Sequence, residues 1–413
     1  MPPGGLESGR AAPAGLGLEE IGAAHRASLE VVRHTPLLTS ASISDRCGGE
    51  VALKAECLQR TGSFKLRGAM NKLRALGDRA TAGVVAGSAG NHGQALAYAA
   101  RSRGVPCAVF MPEEAVVSKV EAVRAFGAEV RLSGDSVDAA VEAAREHAEG
   151  EGMTFVHPFD DLDVIAGQGG AGLEIAADAE RLACVVVPVG GGGLVSGVAL
   201  AIKQADPAVR VVGVQAAACA AVVAAVRGGE ARAPVPTIAD GIAVKRPGEL
   251  TLPLIEDWVD DLVTVEDESI AAAMVLLLSR SKLLVEGAGA ASLAALLDGS
   301  VAAAEGGTTV ALLSGGNVDI GLVASIAAHA ETRAGRRSRL YTRVDDRPGA
   351  LARLLSLVAE AHANVIAVEH VRDGVPRAVG ETGIELVVET GGDVQRRQLL
   401  AALEESGYEI EVE

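Results

Sequence analysis

The sequence predicts an α/β fold, with parallel sheets covered by helices on both faces and a small ferredoxin-like domain at the end. Three observations carry this. From about residue 20 to residue 330, short β-branched runs alternate with longer Ala-rich stretches. The candidate strands are nearly all apolar, as strands buried on both faces must be. Past residue 339 the pattern shortens to a βαββαβ order, the ferredoxin-like arrangement.

Residues 1–18 are rich in Gly, Pro and Ala and read as a flexible tail, without the basic segment and apolar run of a signal peptide. Within residues 19–330 the expected strands are Val84–Gly87, Val105–Phe110, Glu129–Leu132, Thr154–His157, Cys184–Val189, Val211–Gln215, Leu262–Val265 and Val310–Leu313. Helical segments fall between them at Gln94–Arg103, Lys119–Phe126, Ser136–Glu149 and Val195–Gln204. Residues 331–339 (ETRAGRRSR) are polar and basic and read as an exposed linker. The last domain, 340–413, is expected to run as strand Leu340–Val344, helix Gly349–Ala361 and strand Asn364–Val371. Strand Gly383–Glu389, helix Asp393–Ser406 and strand Tyr408–Val412 complete it. Parallel sheets collect ligands at the carboxyl ends of their strands, so the loops that follow strands are where chemistry is sought.

Composition narrows the function classes. At 49% hydrophobic and 22% charged residues, the 413-residue chain has a globular profile. A formal charge of −17 repels polyphosphate and anionic lipid, and 2% aromatic residues leave few stacking surfaces for bases, which argues against nucleic-acid and membrane partners. Cys47, Cys57, Cys107, Cys184 and Cys219 are scattered and contain no C-x-x-C pair, so buried thiols in a reducing compartment are expected rather than disulfides or a metal site. The apolar runs Ala216–Val226 and Ala271–Leu278 are too short to span a bilayer. A soluble, cytoplasmic protein is the expectation.

Three loops carry the chemistry. In Val185–Gly197 (VVVPVGGGGLVSG) a strand runs into four glycines, Gly190 to Gly193, and then into an apolar helix. Bare backbone N–H groups at the positive end of a helix make a phosphate cradle. The run is neither G-x-G-x-x-G nor a P-loop with its Lys and Ser/Thr, so a single phosphate monoester suits it better than a triphosphate. A tight turn that merely lets helix and strand approach is the plainer alternative, which one glycine would suggest more strongly than four in succession do. The second loop, Ala86–Ala95 (AGSAGNHGQA), offers Ser88, Asn91 and the N–H groups of Ala89 and Gly90 to an anion at a helix start. Gly87, Gly90 and Gly93 could equally serve a nucleotide, with Glu113 or Glu114 as the ribose acid. His92 could be a general base or a neutral packing residue. In the third, Leu58–Ala69 (LQRTGSFKLRGA), Lys65 lies between Phe64 and Leu66 on a segment read as a Ser/Gly-capped helix. A lysine desolvated there loses pKa and becomes an amine nucleophile able to form a Schiff base with an aldehyde.

Together these residues resemble a known family. GSFK around Lys65, SAGNHGQA at Ser88–Ala95, GGGGL at Gly190–Leu194 and LLSGGN at Leu312–Asn317 look like the β-family, or fold type II, of pyridoxal-phosphate enzymes. That is the tryptophan synthase β-like fold of two α/β subdomains. HTPLL at His34–Leu38, AGQGG at Ala166–Gly170 and TIADGIAVK at Thr237–Lys245 extend the likeness over residues 20–330, with threonine ammonia-lyases and serine racemases the nearest members. The resemblance implies pyridoxal 5'-phosphate as cofactor, carried on Lys65 beside the ring of Phe64. It implies that Asn91 meets the phenolic oxygen, that Gly190, Gly191, Gly192, Gly193 and Leu194 hold the phosphate, and that Ser314 faces the pyridine nitrogen. It further implies Ser88, Ala89, Gly90, Asn91 and His92 around the substrate carboxylate, with Gly241 on the substrate side of the ring. DDRPGAL at Asp345–Leu351 and the βαββαβ order resemble an ACT domain, which implies an amino-acid effector and pairing into a homodimer or homotetramer; a dimerisation module without a ligand is the plainer alternative.

The implied activity is release of ammonia from L-threonine, and from L-serine, to leave a 2-oxo acid. A neutral hydroxyl at Ser314 leaves the pyridine nitrogen largely unprotonated, which suits β-elimination better than transamination. Serine racemase or serine dehydratase is the rival reading. The racemase pattern places a second serine where this chain has Ala89, which has no proton to deliver to the opposite face. Gln215 and Ala221 stand where racemase-like relatives carry metal-binding acids, so no divalent metal is expected at that site, while a monovalent ion elsewhere stays open. A nicotinamide oxidoreductase would need the missing G-x-G-x-x-G, and a non-catalytic amino-acid sensor would have lost Lys65, Asn91 or Ser314.

Overall fold

A computed structural model describes residues 15–230, 233–371 and 380–412. Contacts divide the chain into two units, Met1–Val318 and Asp319–Glu413.

The first unit holds two sheets. Strands β1 (Leu37–Thr39), β2 (Val51–Ala55), β3 (Val84–Gly87), β4 (Cys107–Met111), β5 (Glu129–Leu132), β6 (Thr154–Phe155), β7 (Leu182–Pro188), β8 (Arg210–Ala216), β9 (Asp261–Val265) and β10 (Thr308–Leu313) come in that order. The larger sheet runs β1-β2-β10-β7-β8-β9, and the smaller β5-β4-β3-β6. Among the described residues only the β1–β2 pair of these sheets is antiparallel; the rest of both is parallel. The run Ala183–Pro188 is uninterrupted by polar residues because β7 is sandwiched: Val185, Val186 and Val187 are fully buried. Parallel strands align their carboxyl ends, which brings the loops after β3, β6, β7 and β10 to one side of their sheets.

Two helices fix the lysine segment in place. Lys65–Leu76 packs on Leu162–Asp178, whose first turn is capped by Asp161 accepting from Asp163 and Val164 N–H at 2.9 and 3.2 Å. The AGQGG motif explains this contact. A Cβ at Gly167 would stand 2.5 Å from the Arg67 carbonyl, so with a larger side chain the two helices could not approach so closely; one at Gly169 would stand 2.9 Å from the Gly197 carbonyl of a third helix, Gly193–Ala205.

In the second unit, β11 (Arg337–Asp345), β12 (Asn364–Val371), β13 (Glu381–Glu389) and β14 (Glu411–Val412) form an antiparallel sheet in the order β12-β13-β11-β14. Helices Ala350–Glu360 and Asp393–Glu405 bury Leu354, Val358, Leu399 and Leu403 against Leu340, Ile384, Leu386 and Val388 of the sheet. This is the expected ferredoxin-like order.

Two expectations about connections need correction. Residues 331–339 are exposed at Thr332, Arg333, Arg336 and Arg339 but are not a linker: Ile320–Arg333 is a helix and β11 begins at Arg337. The charges that suggested solvent are paired locally, Arg336 with Glu331 at 2.5 Å and Arg339 with Glu385 at 2.8 Å. Of the tail expected over 1–18, residues 1–14 lie outside the described residues. Leu16 is fully buried in the core, and helix Leu18–Ser28 starts at Leu18. Lesser differences are the early strands β1 and β2, which the apolar pattern does not reveal, and the last strand, which keeps only Glu411–Val412 of Tyr408–Val412.

Candidate active site

Lys65 is the first residue of its helix, and the turn before it is stitched to the loop after β10. Phe64 N–H donates to the Ser314 carbonyl at 3.0 Å, Gly316 N–H donates to Gly62 at 2.9 Å, and Ser63 bridges Gly315. Gly62 sits at φ +72°, where a side chain would also strike Asn317. The expected Ser/Gly cap is not there. Phe64 is the N-cap with no side-chain bond, and the Ser63 hydroxyl is buried without a partner, so main chain of the 314–316 loop anchors this helix start. Lysine and Ser314 thereby meet. The Lys65 ammonium donates to the Pro158 carbonyl at 2.7 Å and lies 5.2 Å from the Phe64 ring centre. Burial lowers its pKa to about 8, against the opposing pull of Glu286.

Two residues further on, Arg67 fixes the helix from below. Its guanidinium meets Glu56 at 2.7 and 2.8 Å and Glu174 at 2.8 Å through each of two nitrogens, while Lys54 meets Glu174 at 2.8 Å. Arg67, Glu56, Glu174 and Lys54 are all buried. Thr35 of the HTPLL motif closes the cluster through its hydroxyl to Glu56 and its carbonyl to Lys54.

The four glycines follow β7 as expected. A Cβ at Gly191 would run into the Phe159 ring, one at Gly192 (φ +98°) would stand 2.8 Å from Thr251, and one at Gly193 would stand 2.8 Å from the Phe159 carbonyl. Gly192 caps helix Gly193–Ala205 without a side chain, so the first-turn N–H groups have no capping acceptor. The Leu194 side chain belongs to the hydrophobic core. Phe159 follows Pro158, so the residues that cover the cradle and the lysine amine are neighbours in one turn.

Sequence reading missed the residues that build that turn. His157 Nδ1 accepts from Asp160 N–H at 2.7 Å and from Phe159 N–H at 3.3 Å, and burial pushes its pKa down to about 4. The Asp160 carboxylate accepts from Glu249, Leu250 and Thr251 N–H at 2.9, 2.9 and 3.1 Å. Thr251 Oγ1 then donates to the Gly191 carbonyl at 2.6 Å. Nothing in the run HPFDD marks such a role, because its partners lie about ninety residues away.

In the loop after β3, Ser88, Ala89, Gly90 and Asn91 are partly exposed at the start of helix Asn91–Arg103. Gly90 N–H is not free, since it donates to Ser88 Oγ at 3.2 Å. His92 is buried with Nε2 2.9 Å from the Val156 carbonyl, and burial drives its pKa to about 3. Its ring is held neutral against the Val156 carbonyl. Asn91 Nδ2 donates to Glu286 at 2.7 Å, and Asn91 Oδ1 accepts from Asn317 at 2.7 Å. Glu286 was also missed; it is buried, and burial raises its pKa to about 7. Gly241 is exposed beside it, and a Cβ at Gly190 would stand 3.2 Å from Ile242 Cα, which joins the TIADGIAVK loop to the cradle. Gln215 is spent on Val223 N–H at 2.9 Å. Among the described residues, no helix is long and apolar enough to cross a membrane.

The family model for pyridoxal-phosphate dependent enzymes matches residues 29–315, and that for the ACT domain matches residues 338–407. An L-threonine ammonia-lyase of Thermotoga maritima is 44% identical over 398 residues, 96% of this chain and 99% of that one. Among solved structures, a threonine deaminase from T.th. is 42% identical with a TM-score of 0.69, covering 74% of this chain and 99% of its own. Maize serine racemase is 34% identical with a TM-score of 0.71, covering 77% of this chain and 99% of its own.

Proposed function

The chain belongs to the pyridoxal-phosphate-dependent enzymes, and on that premise we propose that it is a threonine ammonia-lyase, converting L-threonine to 2-oxobutanoate and ammonia and L-serine more slowly to pyruvate. The observation that carries the substrate is its near-full-length likeness to L-threonine ammonia-lyase. The chain's own residues fit the cofactor. A helix start whose first-turn N–H groups have no side-chain cap suits one phosphate, and an amine of lowered pKa, tied to it through the turn Pro158–Phe159, suits one aldehyde.

Pyridoxal phosphate, when bound, supplies an electron-withdrawing ring that acidifies the Cα–H of an attached amino acid. Lys65 would hold it through Nζ, and the same nitrogen, neutral near its lowered pKa, would accept the Cα proton. Gly190 to Gly193, with Leu194 N–H, would hold the phosphate at the helix start. Phe64 and Gly241 would flank the ring, and Asn91 would donate to its phenolic oxygen. The Ser314 hydroxyl would face the pyridine nitrogen without holding a proton there, which favours elimination. Ser88, Ala89, Gly90, Asn91 and His92 would surround the substrate carboxylate, His92 through its main chain because its ring is occupied. Ala89 has no proton for the opposite face, which favours the lyase over the racemase. A cytoplasmic location, an amino-acid effector at the ACT domain and a homodimer or homotetramer paired through that domain complete the reading.

The test is 2-oxo acid release from L-threonine and L-serine at matched concentrations with added pyridoxal phosphate. Faster 2-oxobutanoate than pyruvate supports the proposal; D-serine appearing as fast as pyruvate would transfer it to the racemase. Lys65→Ala should abolish both turnover and the visible absorbance of the bound cofactor, and retained turnover would remove Lys65 from its role.

A further inference from the structure

Glu286 is a buried acid that forms no ion pair with any described residue, and burying a carboxyl group without a cation is costly. It precedes helix Gly287–Leu297 as N-cap, yet its side chain makes no capping bond. Its main-chain N–H donates to the Gly315 carbonyl at 3.1 Å. The carboxyl has its place because Gly315 lacks a side chain, since a Cβ there would collide with Oε1. The charged and titratable groups that influence it are Lys65, Asp240 and Lys119, and it in turn influences Cys57.

Its one side-chain hydrogen bond ends a directed chain. Asn317 Nδ2 donates to the Thr61 carbonyl at 2.8 Å and to Asn91 Oδ1 at 2.7 Å, and Asn91 Nδ2 donates to Glu286 Oε1 at 2.7 Å. A main-chain carbonyl can only accept, so Thr61 obliges Asn317 to present its NH₂ group. Both hydrogens of that group are then committed, which turns the Asn91 carbonyl toward Asn317 and its NH₂ toward Glu286. One N–H of Asn91 is left over. Among the described residues, Glu286 alone accepts from the nitrogen end of the Asn91 amide.

We propose that Glu286 is a positioning residue that fixes the Asn91 amide so that its remaining N–H meets the cofactor ring. The inference rests on the reading of Asn91 as a ring contact made above. It is tested on the full-length, cofactor-loaded protein by comparing the parent with N91A, E286A, E286Q and the N91A/E286A double variant. Pyridoxal-phosphate affinity and the visible absorption maximum are the readouts. E286A and N91A should each weaken cofactor binding about tenfold, the worth of one such hydrogen bond. The double variant should bind no more weakly than N91A, to within about twofold. E286Q, whose amide oxygen can still accept from Asn91, should restore most of the affinity and the parent absorption maximum. Losses that add in the double variant, or E286Q as weak as E286A, overturn the inference. If N91A changes neither readout, Asn91 is not a ring contact, and the premise rather than Glu286 has failed. Should E286A not fold, Glu286→Asp, too short to reach Asn91, takes its place in the same comparison.

Discussion

Lys65 and Glu286 show how burial alone prepares chemistry at single residues. The Lys65 amine, shifted to about 8, is half neutral near that pH, where an exposed lysine would be almost wholly charged. Cofactor-free protein should therefore capture pyridoxal phosphate at a rate that rises with pH and levels off near pH 9. Stopped-flow absorbance would read this, and a rise continuing to pH 10.5 would contradict it. Glu286 makes the opposite prediction for stability. Its folded pKa of about 7 lies above the unfolded value, so between the two the folded protein holds a proton that the unfolded chain releases. The group therefore costs nothing below its unfolded pKa, and its cost grows as pH rises and is complete above about 7. Glu286→Gln should melt with the parent at pH 4 but be more stable at pH 8, by up to about 3 kcal/mol; equal stability at both would refute it. Lys65, Asn91, Ser314 and the glycines were legible because each sits in a dense local motif. Glu286 and Asp160 were not, since their partners lie 195 and about ninety residues away and neither motif nor periodicity encodes such distances.

Among elements, the turn His157–Asp160 does the most to unite the site. It presents Pro158 to the lysine, Phe159 to the cradle and Asp160 to three N–H groups at the start of helix Thr251–Trp258. Gly191→Ala should thus drive the Phe159 ring from its place and weaken pyridoxal phosphate at least tenfold, while Phe159→Ala in the same chain should recover part of the loss. Equilibrium binding of the cofactor checks both; an undiminished G191A variant would show the cradle to be looser than its packing implies. Unbroken apolar runs revealed β3, with the expected ends, and β7 nearly so, while β5 (EVRL) has the expected ends although Glu129 and Arg131 interrupt it. Strand β2 escaped because Lys54 interrupts VALKA. That lysine is fully buried, and its charge is answered by Glu174, which only the fold brings near. The same limit misread Glu331–Arg339, where a helix passes directly into a strand although the charged side chains remain substantially exposed.

At the scale of the whole molecule, the two units carry separate cores. Every buried residue of the C-terminal cluster lies between Leu340 and Leu403, and the residues named around the lysine all precede Val318. The T.th. threonine deaminase chain, matched over nearly its full length, corresponds to only 74% of this one. Both facts argue that the chemistry proposed above needs only the first unit. Residues 1–318 should therefore fold, bind pyridoxal phosphate and release 2-oxobutanoate from L-threonine. Helix Ile320–Arg333 groups with the second unit and carries buried Ile326 beside half-buried Leu322 and Val323, so ending the chain at residue 330 instead would leave an orphaned apolar helix. The shorter fragment should accordingly be monodisperse in light scattering where the longer one associates. Full-length protein should also change its rate in the presence of L-isoleucine or L-valine, and the 1–318 fragment should not. A fragment that responds as the full chain does would place the effector site in the first unit; one that is folded and loaded but inactive would mean that the ACT domain is part of the catalytic assembly.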